Sequence, residues 1–157
     1  MQIYYDTTCG ILINNSNNEY LIGHVTLGKY WSLPKGCNEE NETWYDTVIR
    51  ETFEETGLTL DINKIKFLSI TENYKVYKDI SHTQIKHYAL FKYNQSVDVD
   101  IKSLKCSSFF ERISKNNKKI MLPELDRFDF VDKLTLLNKL NPRQAEIVAN
   151  HVKVDIY

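Results

Sequence analysis

Three glutamates stand at positions 51, 54 and 55, the spacing i, i+3, i+4 of a helix. At about 100° per residue they project from one narrow face. Val48 and Thr52, four apart, point elsewhere and are free to meet a core. Like charges at these spacings repel one another, and Arg50 alone cannot neutralise all three. A solvated acidic face is the bland explanation of any Glu-rich helix. The chemical one is a cation held between the carboxylates, and oxygen-only donors favour a hard ion, Mg²⁺ or Mn²⁺, over zinc.

The acids need a frame. Thr43 is placed to cap the helix with Asp46 as its capping-box partner, and Gly57 is a natural left-handed C-cap after Thr56. Upstream, residues 3–13 read as a strand, 14–18 as a polar turn, 20–23 as a second strand, and 31–33 as a short strand ended by Pro34. Residues 38–41 read as loop. Downstream, 67–77 and 84–93 predict a hairpin around Lys78-Asp79, and 107–113 a weaker strand before the basic loop 114–119. Phe128-Asp129-Phe130 reads as a short strand or turn, and 131–140 and 142–152 as helices, the second with Pro142 in its first turn. The expected fold is α/β, a mixed β-sheet sandwiched between α-helices, in a single domain spanning residues 1–157.

The acids also belong to a longer pattern: Gly36, five residues, Glu42, seven residues, then Arg50-Glu51-Thr52-Phe53-Glu54-Glu55-Thr56-Gly57-Leu58. This resembles the Nudix box, Gly-x5-Glu-x7-Arg-Glu-U-x-Glu-Glu-x-Gly-U with U apolar. The one departure is Thr52 at the first U, which leaves the acidic positions intact. The stretches Leu21-Ile22-Gly23-His24 and Tyr30-Trp31-Ser32-Leu33-Pro34-Lys35-Gly36 look like the diadenosine tetraphosphate hydrolase-like branch of that family. The segment Leu104-Lys105-Cys106-Ser107-Ser108-Phe109-Phe110 and the Pro123-Glu124-Leu125-Asp126 stretch resemble closing segments of a bacterial subgroup. The resemblance covers residues 8–130, tightly in the box. It implies the Nudix fold and divalent-metal-dependent hydrolysis of a diphosphate linkage in a nucleoside polyphosphate, with a dinucleoside polyphosphate as the substrate type. An RNA 5′-end pyrophosphohydrolase or decapping activity is the alternative, as is a catalytically silent nucleotide-binding module.

Site residues follow. Glu51 and Glu55, one turn apart, are the first metal-ligand candidates, with Glu54 beside them. The family pattern adds a backbone carbonyl near Lys35-Gly36. Glu124 is expected to supply a carboxylate from outside the box, since one helix furnishes only one wall of a site that uses more than one cation. Glu51 or Glu54 is the candidate base, and Arg50 joins the catalytic set by orienting the glutamates, with Glu42. Lys35, at the mouth of the loop, and Lys86 with Tyr88, two apart on one strand face, are the substrate-binding candidates. His24, Trp31 and Trp44 read as packing residues, and Cys37 as incidental.

Composition limits the partners. Twenty Lys+Arg against twenty-one Asp+Glu leave a net charge of -1, so no global field draws in nucleic acid or an anionic membrane. Three widely spaced cysteines without a CxxC pair argue against a disulfide framework or a zinc site. No apolar run approaches the roughly 20 residues of a membrane span. The expectation is a cytoplasmic protein, in a host cytoplasm if the source is viral, acting on a small nucleotide, with an RNA 5′ end as the other possible partner. Its oligomeric state is not legible.

Overall fold

The computed structural model describes residues 2–153; residue 1 and residues 154–157 of the expected domain lie outside the described residues. Strand β1 (Gln2–Leu12) leads through the polar turn to β2 (Tyr20–Val25), then to the short strands β3 (Trp31–Ser32) and β4 (Lys35–Cys37) and to helix α1 (Trp44–Thr56). The long hairpin β5 (Ile65–Lys78) and β6 (His82–Tyr93) follows, then β7 (Phe109–Ile113), β8 (Lys119–Pro123) and β9 (Leu125–Val131). Helices α2 (Lys133–Lys139) and α3 (Pro142–Ala149) close the order.

A four-stranded mixed sheet runs β4-β1-β6-β5, with β1 parallel to β6 and the other pairs antiparallel. A three-stranded antiparallel sheet runs β3-β2-β9, and β7 and β8 form a two-stranded antiparallel sheet. Both faces are covered where residues 9–12 of β1 and 88–91 of β6 run through the core, and there the two strands turn predominantly apolar. Cys9, Ile11, Ala89 and Phe91 pack with Val48 on the α1 side. Leu12, Tyr88 and Leu90 pack with Leu136, Leu140 and Val148 on the α2–α3 side. The mixed sheet between helices is therefore the expected fold, with a smaller second sheet added to it.

Local chemistry explains α1. Thr43 Oγ1 accepts from the Asp46 N–H at 3.1 Å, and the Asp46 carboxylate accepts from the Thr43 N–H at 3.0 Å, completing the capping box. Gly57 ends the helix at φ +82°, its N–H bonded to the Phe53 carbonyl at 2.8 Å. Val48 and Thr52 are buried against the core as their spacing predicts.

Four expectations need correction. Residues 35–37 form a strand, because their backbone pairs with Thr8, Cys9 and Gly10; the flanking Pro34 and polar loop masked it. Residues 119–123 also form a strand, so the basic loop is the tip of a hairpin, with Asn117 left-handed at φ +59°. The Phe128-Asp129-Phe130 stretch sits inside the seven-residue β9. Helix α2 starts late because Val131 still pairs with Tyr20 and Asp132 caps through the Thr135 N–H; α3 stops at Ala149. Among the described residues no helix is long and apolar enough to cross a membrane.

Candidate active site

The pairing of β4 with β1 brings the backbone of residues 35–37 against the acidic face of α1. The Lys35 N–H donates to Glu55 Oε1 at 2.8 Å. At Gly36 the approach is closer still: a Cβ there would lie 1.9–2.2 Å from the carboxylate atoms of Glu51. Only a residue without a side chain leaves that carboxylate its place.

Arg50 organises the other side of the cluster. Its Nε and Nη2 donate to the two oxygens of Glu42 at 2.7 and 3.0 Å, a bidentate pair. Nη2 also donates to the Cys37 carbonyl at 3.0 Å, and Nη1 donates to Glu51 at 2.9 Å and to Glu54 at 3.2 Å. Thr47 Oγ1 donates to Glu42 at 3.0 Å. The hydrogen bonds from Arg50 dominate in pulling the Glu42 carboxyl down to about 2. Arg50 in turn is held well above its ordinary range, chiefly by Glu42. Box loop and helix are thus tied by one guanidinium, which also bonds Glu51 and Glu54.

Glu51 and Glu55 are in a different state. Burial is the main force pushing the Glu51 carboxyl up to about 7; Arg50 opposes it, while Glu54 and Glu124 add to it. Burial likewise pushes Glu55 up to about 8, against the Lys35 N–H and with the charges of Glu51 and Glu124. Glu55 is 5% exposed. Glu54, whose carboxylate stays partly open, leans toward Arg50.

Glu124 stands across from the helix, in the link between β8 and β9. Its N–H donates to the Ser108 carbonyl at 2.9 Å and its carbonyl accepts from the Thr26 N–H at 3.1 Å. Lys35, Glu55 and Glu124 line one cleft of about 360 Å³, with Thr26, Phe110 and Leu125 as other walls. Thr26 Oγ1 is buried there without a hydrogen-bond partner. Carboxylates on two walls, Glu55 buried and Glu124 half-buried, mutually repelling and with Lys35 as the one cation among the described lining residues, suit a hard divalent cation. Among the described residues no three such side chains yet converge on one point, since Glu51 and Glu54 turn to Arg50. A larger cavity, about 720 Å³, lies among Asn14, Tyr20, Tyr93 and His151, at the far end of β2.

The other expected residues separate. Lys86 lies beside the box loop, 3.4 Å from Cys37 Sγ and 3.8 Å from Asp6 Oδ2, and does not line the cleft. Tyr88 is corrected outright: it is fully buried, and its hydroxyl accepts from Gln144 Nε2 at 2.9 Å. Two residues apart on a strand, Lys86 and Tyr88 share a face, but at Tyr88 that face is already under α3. His24 Nδ1 meets Asp126 Oδ1 at 2.7 Å and the ring sits edge-on to Trp31, a packing role. Sequence reasoning missed Thr26 and Phe110 as cleft walls; the Phe109-Phe110 pair before a basic loop was the available signal for the second.

The chain is 32% identical over 85 residues to the RNA pyrophosphohydrolase of Hydrogenovibrio crunogenus, covering 54% of this chain and 50% of that protein. It is 33% identical over 95 residues to the putative mutator protein MutT4 of Mycobacterium tuberculosis, covering 52% and 38%. The chain spans half or less of the length of these curated relatives. In structure it superposes on the MutT protein from Methanosarcina mazei Go1 with a TM-score of 0.63 at 18% identity, over 96% of this chain and 94% of that one, which shows a shared fold. The NUDIX domain model matches residues 5–150, a span that includes the loop, the acidic helix and Glu124, and the chain belongs to that family.

Proposed function

We propose that this chain hydrolyses a phosphoanhydride bond of a nucleoside polyphosphate with the help of Mg²⁺ or Mn²⁺. One observation carries the reading: Glu51 and Glu55, one helical turn apart, are both pushed up by burial and by the charge of Glu124, and Glu55 and Glu124 share a cleft among whose described walls Lys35 is the one cation. Glu51, Glu55 and Glu124 would hold the metal, with Glu54 beside them and the Gly36 carbonyl as a backbone donor. A divalent ion bound there supplies charge neutralisation at the phosphate oxygens and a more acidic water.

The chain's own groups do the rest. Arg50, fixed by Glu42 and the Cys37 carbonyl, holds Glu51 and Glu54 in place. Glu51 or Glu54 accepts the proton of the attacking water. Lys35, at the cleft wall, offers a point charge to a substrate phosphate. The Lys35 N–H aligns Glu55 from below.

A dinucleoside polyphosphate is the substrate type that the residue 31–36 stretch supports, and the net charge of -1 supports a small nucleotide over a long polyanion. An RNA 5′ end is the second reading, supported by the four basic residues of the β7–β8 hairpin and by the activity named for the Hydrogenovibrio relative. A silent binding module has no need of the full carboxylate set. The test is a panel of dinucleoside polyphosphates, nucleoside triphosphates, ADP-ribose and 5′-triphosphate RNA with Mg²⁺ and then Mn²⁺. Turnover of at least one, abolished by chelator, is expected; none with either ion overturns the reading.

A further inference from the structure

Asn141 and Gln144 have the spacing of a capping box at the start of α3. Asn141 does its share, its side chain accepting from the Gln144 N–H at 2.9 Å. In such a box the second side chain bonds back to the N–H of the cap. Gln144 sends its carboxamide into the core instead, and the residue is fully buried. Its Oε1 accepts from the Leu33 N–H at 3.2 Å. Its Nε2 donates to the Tyr88 hydroxyl at 2.9 Å and stands 3.5 Å from Ser32 Oγ. Ser32 Oγ donates in turn to the Leu33 carbonyl at 2.8 Å. A buried amide costs free energy unless its donors and acceptors are matched, and both ends of this one are used.

These partners lead to the carboxylate cleft. Leu33 and Pro34 are the whole link between β3 and β4. Ser32 before them and Lys35 after them line the cleft. The segment is tied at each residue. The Leu33 N–H is held by Gln144, the Pro34 carbonyl accepts from the Ile11 N–H at 3.1 Å, and the Lys35 N–H donates to Glu55. The first and last ties come from side chains in opposite layers, Gln144 from α3 and Glu55 from α1. Pro34 makes the link between them stiff: its ring fixes its own φ, and its Cδ keeps Leu33 extended. A displacement at Leu33 is therefore passed on to Lys35 rather than absorbed. Without Gln144 the buried Leu33 N–H would be a donor with no acceptor, and the link would have to move to find one.

We propose that Gln144 is a positioning residue for the carboxylate cleft. By holding the Leu33 N–H it sets where the Lys35 N–H meets Glu55, and so how Glu55 is presented to a divalent cation. The proposal rests on the metal-binding reading of that cleft and adds to it a residue from the far layer, one that does not line the cleft itself. Tyr88 shares the amide of Gln144 without sharing this task, because loss of its hydroxyl leaves the bond to Leu33 in place.

The experiment compares Gln144→Met with Tyr88→Phe in the full chain. Methionine keeps the reach of the side chain and replaces its carboxamide by a thioether, a poor acceptor for the Leu33 N–H. Tyr88→Phe takes away the other partner of the same amide. Both should lower the melting temperature. Mn²⁺ is titrated without substrate by electron paramagnetic resonance, counting the binding that Glu55→Gln loses. Gln144→Met should weaken that binding about tenfold, the scale of removing a group that stands behind a metal ligand, and speed hydrogen exchange at the Lys35 N–H. At saturating Mg²⁺ its kcat should fall about tenfold, with the KM of the best nucleotide of the panel held within about twofold. Tyr88→Phe should keep the native Mn²⁺ affinity, Lys35 exchange and kcat. Native Mn²⁺ affinity in Gln144→Met, or equal weakening in both variants, overturns the proposal, since the amide then serves stability alone. If Gln144→Met does not melt cooperatively, Gln144→Asn, one methylene shorter, is read in its place by the same criteria. Failure of the cleft reading shows differently: the native chain then binds no Mn²⁺ that Glu55→Gln loses, and turns over no member of the panel.

Discussion

At Gly36 the structure separates catalysis from stability. An added methyl would occupy the position of the Glu51 carboxylate, which is the far end of a flexible side chain and can swing away. Gly36→Ala should therefore lower kcat more than tenfold while the melting temperature moves little, a split that paired kinetics and calorimetry will show. Glu42 behaves in the opposite way. Its carboxyl is drawn down to about 2, chiefly by Arg50, whereas in the unfolded chain it titrates near 4.3. Its stabilisation is present above that unfolded value and is lost as pH falls from about 4.3 toward 2, where the folded state must take up the proton. Glu42→Gln should cost about 2 kcal/mol at pH 7 and flatten the stability curve across that acid window; an unchanged curve in acid denaturation would remove Glu42 from this role. Tyr88→Phe separates packing from binding: it leaves Gln144 Nε2 without the Tyr88 oxygen, so stability should drop by about 1 kcal/mol with KM unchanged.

Helix α1 shows which elements a sequence reveals. Its start, its end and its acidic face follow from Thr43, Asp46, Gly57 and the glutamate spacing, because caps and periodicity are local chemistry. Thr43→Ala should cost about 1 kcal/mol in denaturant unfolding; no loss would mean that the box loop alone holds the helix start. The strands that were not legible depend on distant partners. Lys35-Gly36-Cys37 has no strand pattern and becomes one only because β1 supplies an edge. Residues 119–123 look like an extension of a polar loop until β7 pairs with them. The same distinction holds within the site. Glu51, Glu54 and Glu55 are neighbours in sequence and were legible. Glu124 was reached through the need for a second wall together with the Pro-Glu-x-Asp stretch, and it lines the cleft with Glu55. Tyr88 was misread because strand alternation says which residues share a face and not which stretch of that face a helix covers.

At the scale of the whole molecule, the two core layers hold the carboxylate cleft between elements of different origin. Helix α1 is fastened by the layer that includes Val48, Ile11 and Phe91, while Glu124 lies just before β9, at the end of the separate sheet of β2 and β9. The cleft thus spans two sheets, and helix α1 is joined to the opposite wall by single backbone contacts such as the Ser107 N–H to the Glu54 carbonyl. Replacing Glu55 by glutamine keeps the side-chain shape and an oxygen for the Lys35 N–H, so the fold should be as stable as before in the absence of metal. The central claim is that this cleft binds a divalent cation for attack on a phosphoanhydride, and one measurement reaches it directly. Phosphate or nucleotide release from the best substrate of the panel is followed after chelation and then during titration with Mg²⁺, for the native chain and for Glu55→Gln. The account predicts no turnover without metal, saturable recovery in the native chain, and a loss of at least a hundredfold in kcat for the folded variant. Turnover that survives chelation, or a Glu55→Gln protein that recovers with Mg²⁺ as the native chain does, would contradict it.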